Sequence, residues 1–218
     1  MEVSIDDLEF EFTLRPDSDP SLSPYVIGFR GKALLWDDRD GCEKVVAELR
    51  GYRLDLASAT MDGLDQNILL DSVCPEIAEF SETVFEESGC HYLHRLADGS
   101  IRTQEYDGLV WINEVVVEPA YRGRNIGTSL LARIGQMIDL ENCIIGLKAY
   151  PLDDEIGKRK PKEQIRKIKR FYEHLGFVAA GGHFMVKEAS HCEVMKKRLE
   201  WRRNHQTGYV VEVGVPLH

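Results

Sequence analysis

The sequence predicts a mixed α/β (α+β) fold, and three observations support this prediction. Residues 8–14, Leu-Glu-Phe-Glu-Phe-Thr-Leu, alternate strictly between apolar and polar side chains, as in a half-buried β-strand. Residues 126–140 instead place apolar side chains at the three- and four-residue spacing of an amphipathic helix. Strand-like and helix-like segments then alternate through the second half of the chain, which is typical of a sheet with helices packed on it.

The first half of the chain is predicted to be rich in strands. Alternating or apolar runs predict strands over residues 8–14, 25–35 and 45–56. Residues 75–87 carry apolar side chains on one side and acids on the other, which predicts a helix. The most apolar strand candidate is residues 109–117, which Pro119 ends.

The second half is predicted to continue with helix, strand, helix and hairpin. A helix over 126–140 is followed by a short buried strand over 143–149. Pro161 suits the first turn of the next helix, and Gly176 suits the position just after its end. Gly181-Gly182 predicts a hairpin between strands over 177–180 and 183–187, and an extra helix and strand are predicted over 190–203 and 209–215. We expect a single domain over 1–218, with functional motifs in 109–188 and a C-terminal extension in 189–218.

Composition and charge restrict the classes of function. Hydrophobic residues make up 43% and charged residues 29%, as in ordinary globular proteins. The net charge of −10 argues against a general nucleic-acid binder, so nucleic acid is not an expected partner. Residues 1–118 hold 26 acidic and 9 basic residues, whereas 119–218 hold 11 and 18. This asymmetry suggests an anion handled by the second half and a cation by the first; solvated surface charge explains it equally well.

Location and metal content are expected to be simple. The first residues lack the basic and apolar regions of a secretory signal, and no apolar run approaches the ~20 residues that span a bilayer. The five cysteines contain no Cys-x-x-Cys pair, which favours reduced thiols in a cytoplasmic protein. Two groups superficially resemble metal ligands, but neither has a second pair at zinc spacing, so no metal is expected: Cys90-His91 with His94, and His191-Cys192.

A phosphate-binding turn is predicted between the strand over 109–117 and the helix that follows. A helix N-terminus exposes unpaired N–H groups and a partial positive charge, and small residues let a backbone approach an anion closely. The turn is neither a Rossmann fingerprint nor a Walker P-loop, because both glycine patterns are missing. An arginine-rich start of an ordinary helix is the alternative. The predicted cofactor-binding residues of the turn are Arg122, Gly123, Arg124, Asn125, Ile126, Gly127 and Thr128.

Residues 118–127, Glu-Pro-Ala-Tyr-Arg-Gly-Arg-Asn-Ile-Gly, closely resemble the acetyl-CoA pyrophosphate motif of the GNAT acetyltransferases. That motif runs Arg/Gln-x-x-Gly-x-Gly/Ala after a strand that ends in Val-x-Pro. Arg122 and Gly127 match its ends. Asn125 occupies the position of the first glycine, and asparagine tolerates the left-handed conformation better than other non-glycine residues.

Residues 171–177, Phe-Tyr-Glu-His-Leu-Gly-Phe, resemble a second GNAT motif, Tyr-x-x-x-Gly-Phe at the end of the fourth helix. Two motifs in the family order imply a central, mostly antiparallel sheet flanked by helices. They also imply an N-acetyltransferase that uses acetyl-CoA, with a homodimer as one oligomeric state to test. In the family, the tyrosine at the position of Tyr172 commonly protonates the departing CoA thiolate. The alternative is a tyrosine that caps a core helix. His174 is interpreted as a surface or cap residue.

A carboxylate is expected to take the proton of the acceptor amine. Glu114 is the first candidate because many relatives carry an acid there or nearby; an ordinary salt-bridged glutamate is the equal alternative. Glu105 and Asp107 are weaker candidates, and some relatives need no single base. The resemblance also implies that the backbone of Val115, Val116 and Val117 holds the pantetheine arm and that one of these amides faces the thioester oxygen.

The basic run over 158–170 is expected to capture the CoA 3′-phosphate or steer the anionic cofactor, with a solvated basic face as the alternative. The acidic first half favours a cationic acceptor, such as a polyamine, an aminosugar, or a lysine or N-terminal amine of a protein. Two other functions stay open at this point. One is a non-catalytic module of the same fold that senses acyl-CoA, and the other is an interaction protein whose tail over 190–218 mediates dimerisation.

Overall fold

The computed structural model describes residues 4–38, 41–85, 91–95, 101–151, 162–189 and 211–213, and side chains are described in these ranges except in 91–95, 101–104 and 211–213. The fold is mixed α+β with a mostly antiparallel sheet, which confirms the predicted class. The described elements, in chain order, are β1 (Leu8–Pro16), β2 (Val26–Asp37), β3 (Cys42–Asp55), α1 (Leu56–Met61), α2 (Gln66–Val73), α3 (Pro75–Val84), β4 (His91–Arg95), β5 (Ile101–Glu105), β6 (Gly108–Val117), α4 (Ile126–Met137), β7 (Cys143–Lys148), α5 (Lys162–His174), β8 (Val178–Gly181), β9 (Phe184–Glu188) and β10 (Val211–Val213).

The chain divides into two compact units. Unit one comprises Met1–Arg53, Ile112–Asp139 and Glu193–His218, and unit two comprises Leu54–Trp111 and Leu140–Cys192. The expectation of a single domain over 1–218 stays a prediction. Among the described residues, no helix combines the length and the apolar character needed to cross a bilayer.

Unit one contains strands in the order β10-β1-β2-β3-β6. β1 pairs antiparallel with β2, so that Phe12 lies opposite Gly31, while β10 pairs parallel with β1. Gly31 is needed there because a Cβ would lie 2.5 Å from the Phe12 ring. Phe10 is on β1, and the guanidinium of Arg133, on α4, stacks on its ring at 3.7 Å from the ring centre. α4 therefore lies over the face of the sheet that carries Phe10.

Unit two contains strands in the order β6-β7-β9-β8, because β6 is divided between the units after Trp111. β4 pairs with β5 in a separate antiparallel ribbon. Its core is built around Phe80, whose ring packs 5.1 Å from Trp111 and 5.7 Å from Phe184 between ring centres. Gly146 on β7 makes room for this ring, because a Cβ there would lie 2.7 Å from Phe80. β7 and β9, and β8 and β9, pair antiparallel, which confirms the predicted hairpin at Gly181-Gly182.

Two helices end earlier than their apolar periodicity predicts. α3 ends at Val84 because Phe85 is extended, and 86–87 lie outside the described residues. α4 ends at Met137 because Ile138 is extended with φ −125°. Ile138 and Leu140 are nevertheless buried. Apolar residues are buried both in the helix and in the extended segment after it, so the apolar pattern cannot show where the helix ends.

Four elements were not predicted from the sequence: α1, α2, β4 and β5. The two helices had an available signal, since Asp55 and Asp65 accept N-cap hydrogen bonds from Ser58 and Asn67. The predicted strand over 209–215 is present as β10. Pro161 and the predicted helix over 190–203 lie outside the described residues.

Candidate active site

The segment between β6 and α4 is anchored at both of its sides. Glu118 N donates to Val46 O at 3.0 Å, which ties the end of β6 to β3. A 3-10 turn over Pro119–Tyr121 follows, and the Arg122 side chain turns back so that its Nε donates to Val117 O at 2.9 Å. One of the N–H donors of Arg122 is therefore bonded to the backbone, and its exposed guanidinium lies beside the turn.

Two residues of the turn adopt positive φ. Gly123 has φ +77° with open space where a Cβ would be, and Asn125 has φ 60° and ψ 14° in the left-handed region. Asn125 therefore adopts the left-handed conformation that asparagine tolerates better than other non-glycine residues. Asn125 O accepts from Ser129 N at 2.9 Å, the first hydrogen bond of α4, but the Asn125 side chain makes no cap bond. The first amides of α4 thus have no side-chain cap, as an anion site requires.

Arg124 supplies the clearest sign that this turn fits a phosphate. Its Nη1 is buried and has no hydrogen-bond partner among the described residues. The Arg124 guanidinium lies 5.9 Å, and Lys44 Nζ 5.8 Å, from the centre of the Tyr121 ring. A buried donor without a partner costs about 1–3 kcal/mol, which a phosphate oxygen would recover. The residues present therefore fit the pyrophosphate of CoA.

Glu114 belongs to a chain of charges on unit one. Its Oε2 lies 3.7 Å from Arg50 Nε, and Arg50 also binds Glu48 at 2.7 Å. Arg30 forms an ion pair with the other oxygen of Glu48. Burial by itself raises the pKa of Glu48, but hydrogen bonds from Arg50 and Arg30 outweigh it and hold that pKa below its usual value. Glu114 is thus ion-paired, with 26% of its side chain exposed.

The three valines of the candidate pantetheine site, Val115, Val116 and Val117, are half-buried at the end of β6. The structure brings them together with Glu114 and the turn in unit one. Sequence reasoning missed Lys44 and Arg50, which come from β3. Their positions depend on how β3 pairs with β6, and a single strand's pattern carries no information on that pairing.

Tyr172 lies in unit two, near the end of α5. Its side chain is 8% exposed and packs against Phe171 and Phe177, with ring centres at 5.0 and 5.6 Å. Burial raises the pKa of Tyr172 to about 12, so the hydroxyl keeps its proton at neutral pH. A protonated phenol in an apolar setting can give a proton to an anion, which is the chemistry expected of it.

The end of α5 is fixed by two residues beyond the tyrosine. Gly176 has φ +84°, which confirms its predicted place just after the helix. The buried Lys187, on β9, donates from Nζ to Leu175 O. This ammonium group lies at the negative end of the helix dipole, where a cation is favourable.

The basic run is only partly described, because Lys158, Arg159 and Lys160 lie outside the described residues. On α5, Lys162, Arg166 and Arg170 are exposed at four-residue spacing, and Lys167 pairs with Glu163 at 3.2 Å. Side chains or whole residues of both candidate metal groups also fall outside the described part, so the expectation of no metal stays a prediction.

Residues 83–179 match the family model described as an acetyltransferase (GNAT) domain. The matched segment contains both motifs, which confirms the GNAT resemblance for these residues. No curated protein matches the chain in sequence.

Several solved structures are similar at low identity. A KacTA–DNA complex is 9% identical, with 88% of this chain and 99% of that chain covered and a TM-score of 0.41. AtaTR bound with acetyl-CoA is 10% identical, with 88% and 99% covered and a TM-score of 0.40. Arabidopsis thaliana NAA60 in complex with acetyl-CoA is 12% identical, with 84% and 99% covered and a TM-score of 0.37. The expectation that nucleic acid is not a partner stays a prediction.

Proposed function

We propose that this chain, which carries a GNAT acetyltransferase domain over residues 83–179, is an N-acetyltransferase that moves an acetyl group from acetyl-CoA to a primary amine. The observation that carries the proposal is the turn before α4. There a left-handed Asn125, uncapped helix amides and a buried, unpartnered Arg124 Nη1 occur together. Each of these features favours an anion, and the motif specifies which anion.

The donor would be held by backbone and by arginine. The amides of Ile126, Gly127 and Thr128, with the side chains of Arg122 and Arg124, would bind the pyrophosphate. The backbone of Val115–Val117 would pair with the pantetheine arm, and one amide would stabilise negative charge on the thioester oxygen. Bound acetyl-CoA supplies an activated acetyl thioester. The bond from Arg124 to the phosphate would also give its buried Nη1 a hydrogen-bond partner.

Two side chains are proposed to move protons. Tyr172 would give its hydroxyl proton to the departing thiolate, and its place in the second motif supports this role. Burial, which raises its pKa to about 12, keeps the phenol protonated but makes it a weaker acid than an exposed tyrosine. Glu114 is the candidate proton acceptor from the sequence, and its ion pair with Arg50 keeps the carboxylate in place. If Glu114 is that acceptor, Glu114→Gln lowers kcat by roughly 10²-fold or more. If it is only a salt-bridge partner, the loss is confined to a small change in stability.

The acceptor is proposed to be cationic, because the first 118 residues are strongly acidic. Attraction between the acceptor and these acids weakens as salt screens it, so the acceptor KM should rise with ionic strength. A KM that stays constant between low and physiological salt would exclude this part of the proposal.

Cys42, Cys74 and Cys143 are free thiols, which supports a cytoplasmic setting.

The first experiment is calorimetric binding of acetyl-CoA and of CoA, followed by thiol release with a panel of amines. Micromolar binding is expected, and Arg122→Ala and Arg124→Ala should each weaken it by roughly tenfold or more. Arg15→Ala is the matched control, since it removes one exposed charge from the same unit. Failure of both ligands to bind would overturn the proposal. Binding without thiol release from any amine would instead favour a non-catalytic acyl-CoA sensor.

A further inference from the structure

A row of ion pairs crosses three neighbouring strands of unit one and ends at Glu114. Glu48 and Arg50 lie two residues apart on β3, so their side chains project from the same face of the strand. Strand β3 lies between β2, which carries Arg30, and β6, which carries Glu114. All four residues belong to unit one, so their contacts lie within one compact unit.

Within this row, Arg50 is bound more closely to Glu48 than to Glu114. Arg50 Nη2 donates to Glu48 Oε2 at 2.7 Å, whereas Arg50 Nε lies 3.7 Å from Glu114 Oε2. The first contact is a charge-assisted hydrogen bond, and the second is too long to be a hydrogen bond. The pKa of Arg50 follows the same order: its hydrogen bond to Glu48 raises it most, the charge of Glu48 raises it next, and the charge of Glu114 adds least.

Glu48 is itself held in place by a second arginine. Arg30 donates from Nε to Glu48 Oε1, and its Nη2 forms an ion pair with the same oxygen. Each carboxylate oxygen of Glu48 therefore has an arginine partner, and 17% of its side chain is exposed. Because both oxygens are bonded, Glu48 is a fixed point of attachment for Arg50.

Helix α4 does not add a charge to this face of the sheet. Its one charged residue, Arg133, stacks on Phe10 of β1. Phe10 and Thr13 lie three residues apart on β1, so they project to opposite faces. Thr13 lies opposite Arg30 in the register of β1 and β2, which places Arg30 on the face away from α4. The charges that face Glu114 in unit one therefore come from the neighbouring strands β2 and β3.

This arrangement leaves the oxygens of Glu114 open to another donor. In the part of the chain that the structure describes, Arg50 is the one basic side chain within 4 Å of Glu114, and it stays beyond hydrogen-bond distance. The Glu114 side chain is 26% exposed, so a small molecule can reach it. A carboxylate that accepts a hydrogen bond from arginine is stabilised as the anion and becomes a weaker base. The distance between Arg50 and Glu114 therefore matters for proton transfer.

We propose that Glu48 is a positioning residue for acetyl transfer, because it holds Arg50 beyond hydrogen-bond distance of Glu114. The inference rests on the proposed function, in which Glu114 takes the proton of the acceptor amine. As the amine nitrogen forms the new C–N bond, its proton passes to the open carboxylate, and the electron pair of the breaking C–S bond leaves with the CoA sulfur. Solvent takes the proton from Glu114 after the product leaves. Without the charge of Glu48, Arg50 would bond to Glu114 and weaken it as a base.

The direct test is Glu48→Gln, with Glu11→Gln as the matched control. Glu11 is a second carboxylate of unit one that pairs with a cation of β2, since its Oε2 lies 3.8 Å from Lys32 Nζ. In Glu48→Gln, kcat for thiol release should fall about 3- to 10-fold, and the acid limb of its pH profile should move about one pH unit lower. The Kd for acetyl-CoA should be unchanged. Glu11→Gln should match the wild type in all three quantities.

The double variant Glu48→Gln/Arg50→Gln separates positioning from folding. A loss of stability caused by the first substitution persists in the double variant. The acid limb of kcat should instead return to its wild-type pH, because the guanidinium that would bond to Glu114 is gone. An acid limb that stays at the lower pH in the double variant would overturn the proposal, as would a Glu48→Gln protein with wild-type kcat and acid limb.

An NMR titration of Glu48 in the free wild-type protein needs neither turnover nor a stable variant. Burial raises the pKa of Glu48, but hydrogen bonds from Arg50 and Arg30 outweigh it, so a pKa below the usual value is expected. A pKa at or above the usual value would mean that Glu48 does not hold Arg50, and the proposal would fail. If the wild type releases no thiol with any amine, or if Glu114→Gln keeps wild-type kcat, the proposed function fails and takes this inference with it. Unchanged kinetics in Glu48→Gln instead remove only the role of Glu48.

Discussion

The two units place their candidate functional groups in opposite ways. In unit one, the turn before α4 works through backbone conformation and arginines near the surface, and most of its side chains are exposed or half-buried. In unit two, Tyr172 is buried, and two aromatic rings pack against it. The charges of unit one are paired in a row from Arg30 to Glu114, whereas burial in unit two raises the pKa of Tyr172.

This difference indicates which substitutions each unit tolerates. A site made of backbone amides depends on φ angles and is insensitive to most side-chain changes. A site made of buried titratable groups depends on close packing, since packing excludes the water that would otherwise reset each pKa. Unit one should therefore be sensitive to backbone strain and unit two to side-chain volume and polarity.

Tyr172→Phe should reduce thiol release by roughly 10²- to 10³-fold, because the departing thiolate loses its proton donor. Acetyl-CoA binding should be unchanged, since the residues proposed to hold the donor lie in unit one. Steady-state kinetics and calorimetry separate the two quantities. Tyr52→Phe, on β3, is the control for loss of a phenol. A loss in kcat of less than about threefold would assign Tyr172 to helix packing alone.

Gly146→Ala should destabilise the protein more than Gly31→Ala, although both add one methyl group beside a phenylalanine. The Cβ of the first would lie 2.7 Å from Phe80, which is fully buried among three other aromatic rings, so the cost should approach about 3 kcal/mol. The Cβ of the second would meet Phe12 on β1, which is buried but keeps 8% exposure where Phe80 has none, so its ring should shift at a cost nearer 1 kcal/mol. Urea unfolding measures both, and the reverse order would contradict the contrast.

Asn125→Val should weaken acetyl-CoA binding about 5- to 30-fold, because a branched side chain in the left-handed region costs about 1–2 kcal/mol or more. Asn125→Gly should bind at least as well as the wild type. Asn142, in unit two, also has positive φ, at 47°, so Asn142→Val imposes similar strain outside the turn. Calorimetry should show normal acetyl-CoA affinity for this control. Equal losses of affinity in the two valine variants would mean that strain acts through overall stability.

Stability above pH 10 should depend on Tyr172. Its pKa is about 12 in the folded protein and near 10 in the unfolded chain, so the unfolded chain releases this proton first as pH rises. The free energy of unfolding is therefore unaffected by this group below pH 10 and falls between pH 10 and 12, by about 1.4 kcal/mol at pH 11. Denaturant midpoints of wild type and Tyr172→Phe from pH 9 to 11 test this. Parallel curves for the two proteins would show that the phenol is not desolvated.

Local motifs were readable from the sequence, and contacts between distant segments were not. The turn at Asn125, the helix end at Gly176 and the hairpin at Gly181-Gly182 each depend on the conformational preference of one or two residues, so they could be predicted. The ion pair between Glu114 and Arg50 depends on the register of two strands far apart in the chain. Glu48 was missed for the same reason, since its partner Arg30 comes from another strand.

The bond from Lys187 to the end of α5 has a consequence for local unfolding. β9 carries Lys187 and begins directly after His183, so one strand fixes both the last turn of α5 and the β8–β9 turn. Neither can open without breaking a bond to the same strand, and the two should behave as one cooperative unit. Amide hydrogen exchange should then show a common opening free energy for residues 172–176 and 184–188. If product leaves by movement of this region, the end of α5 and the β8–β9 turn would have to open together.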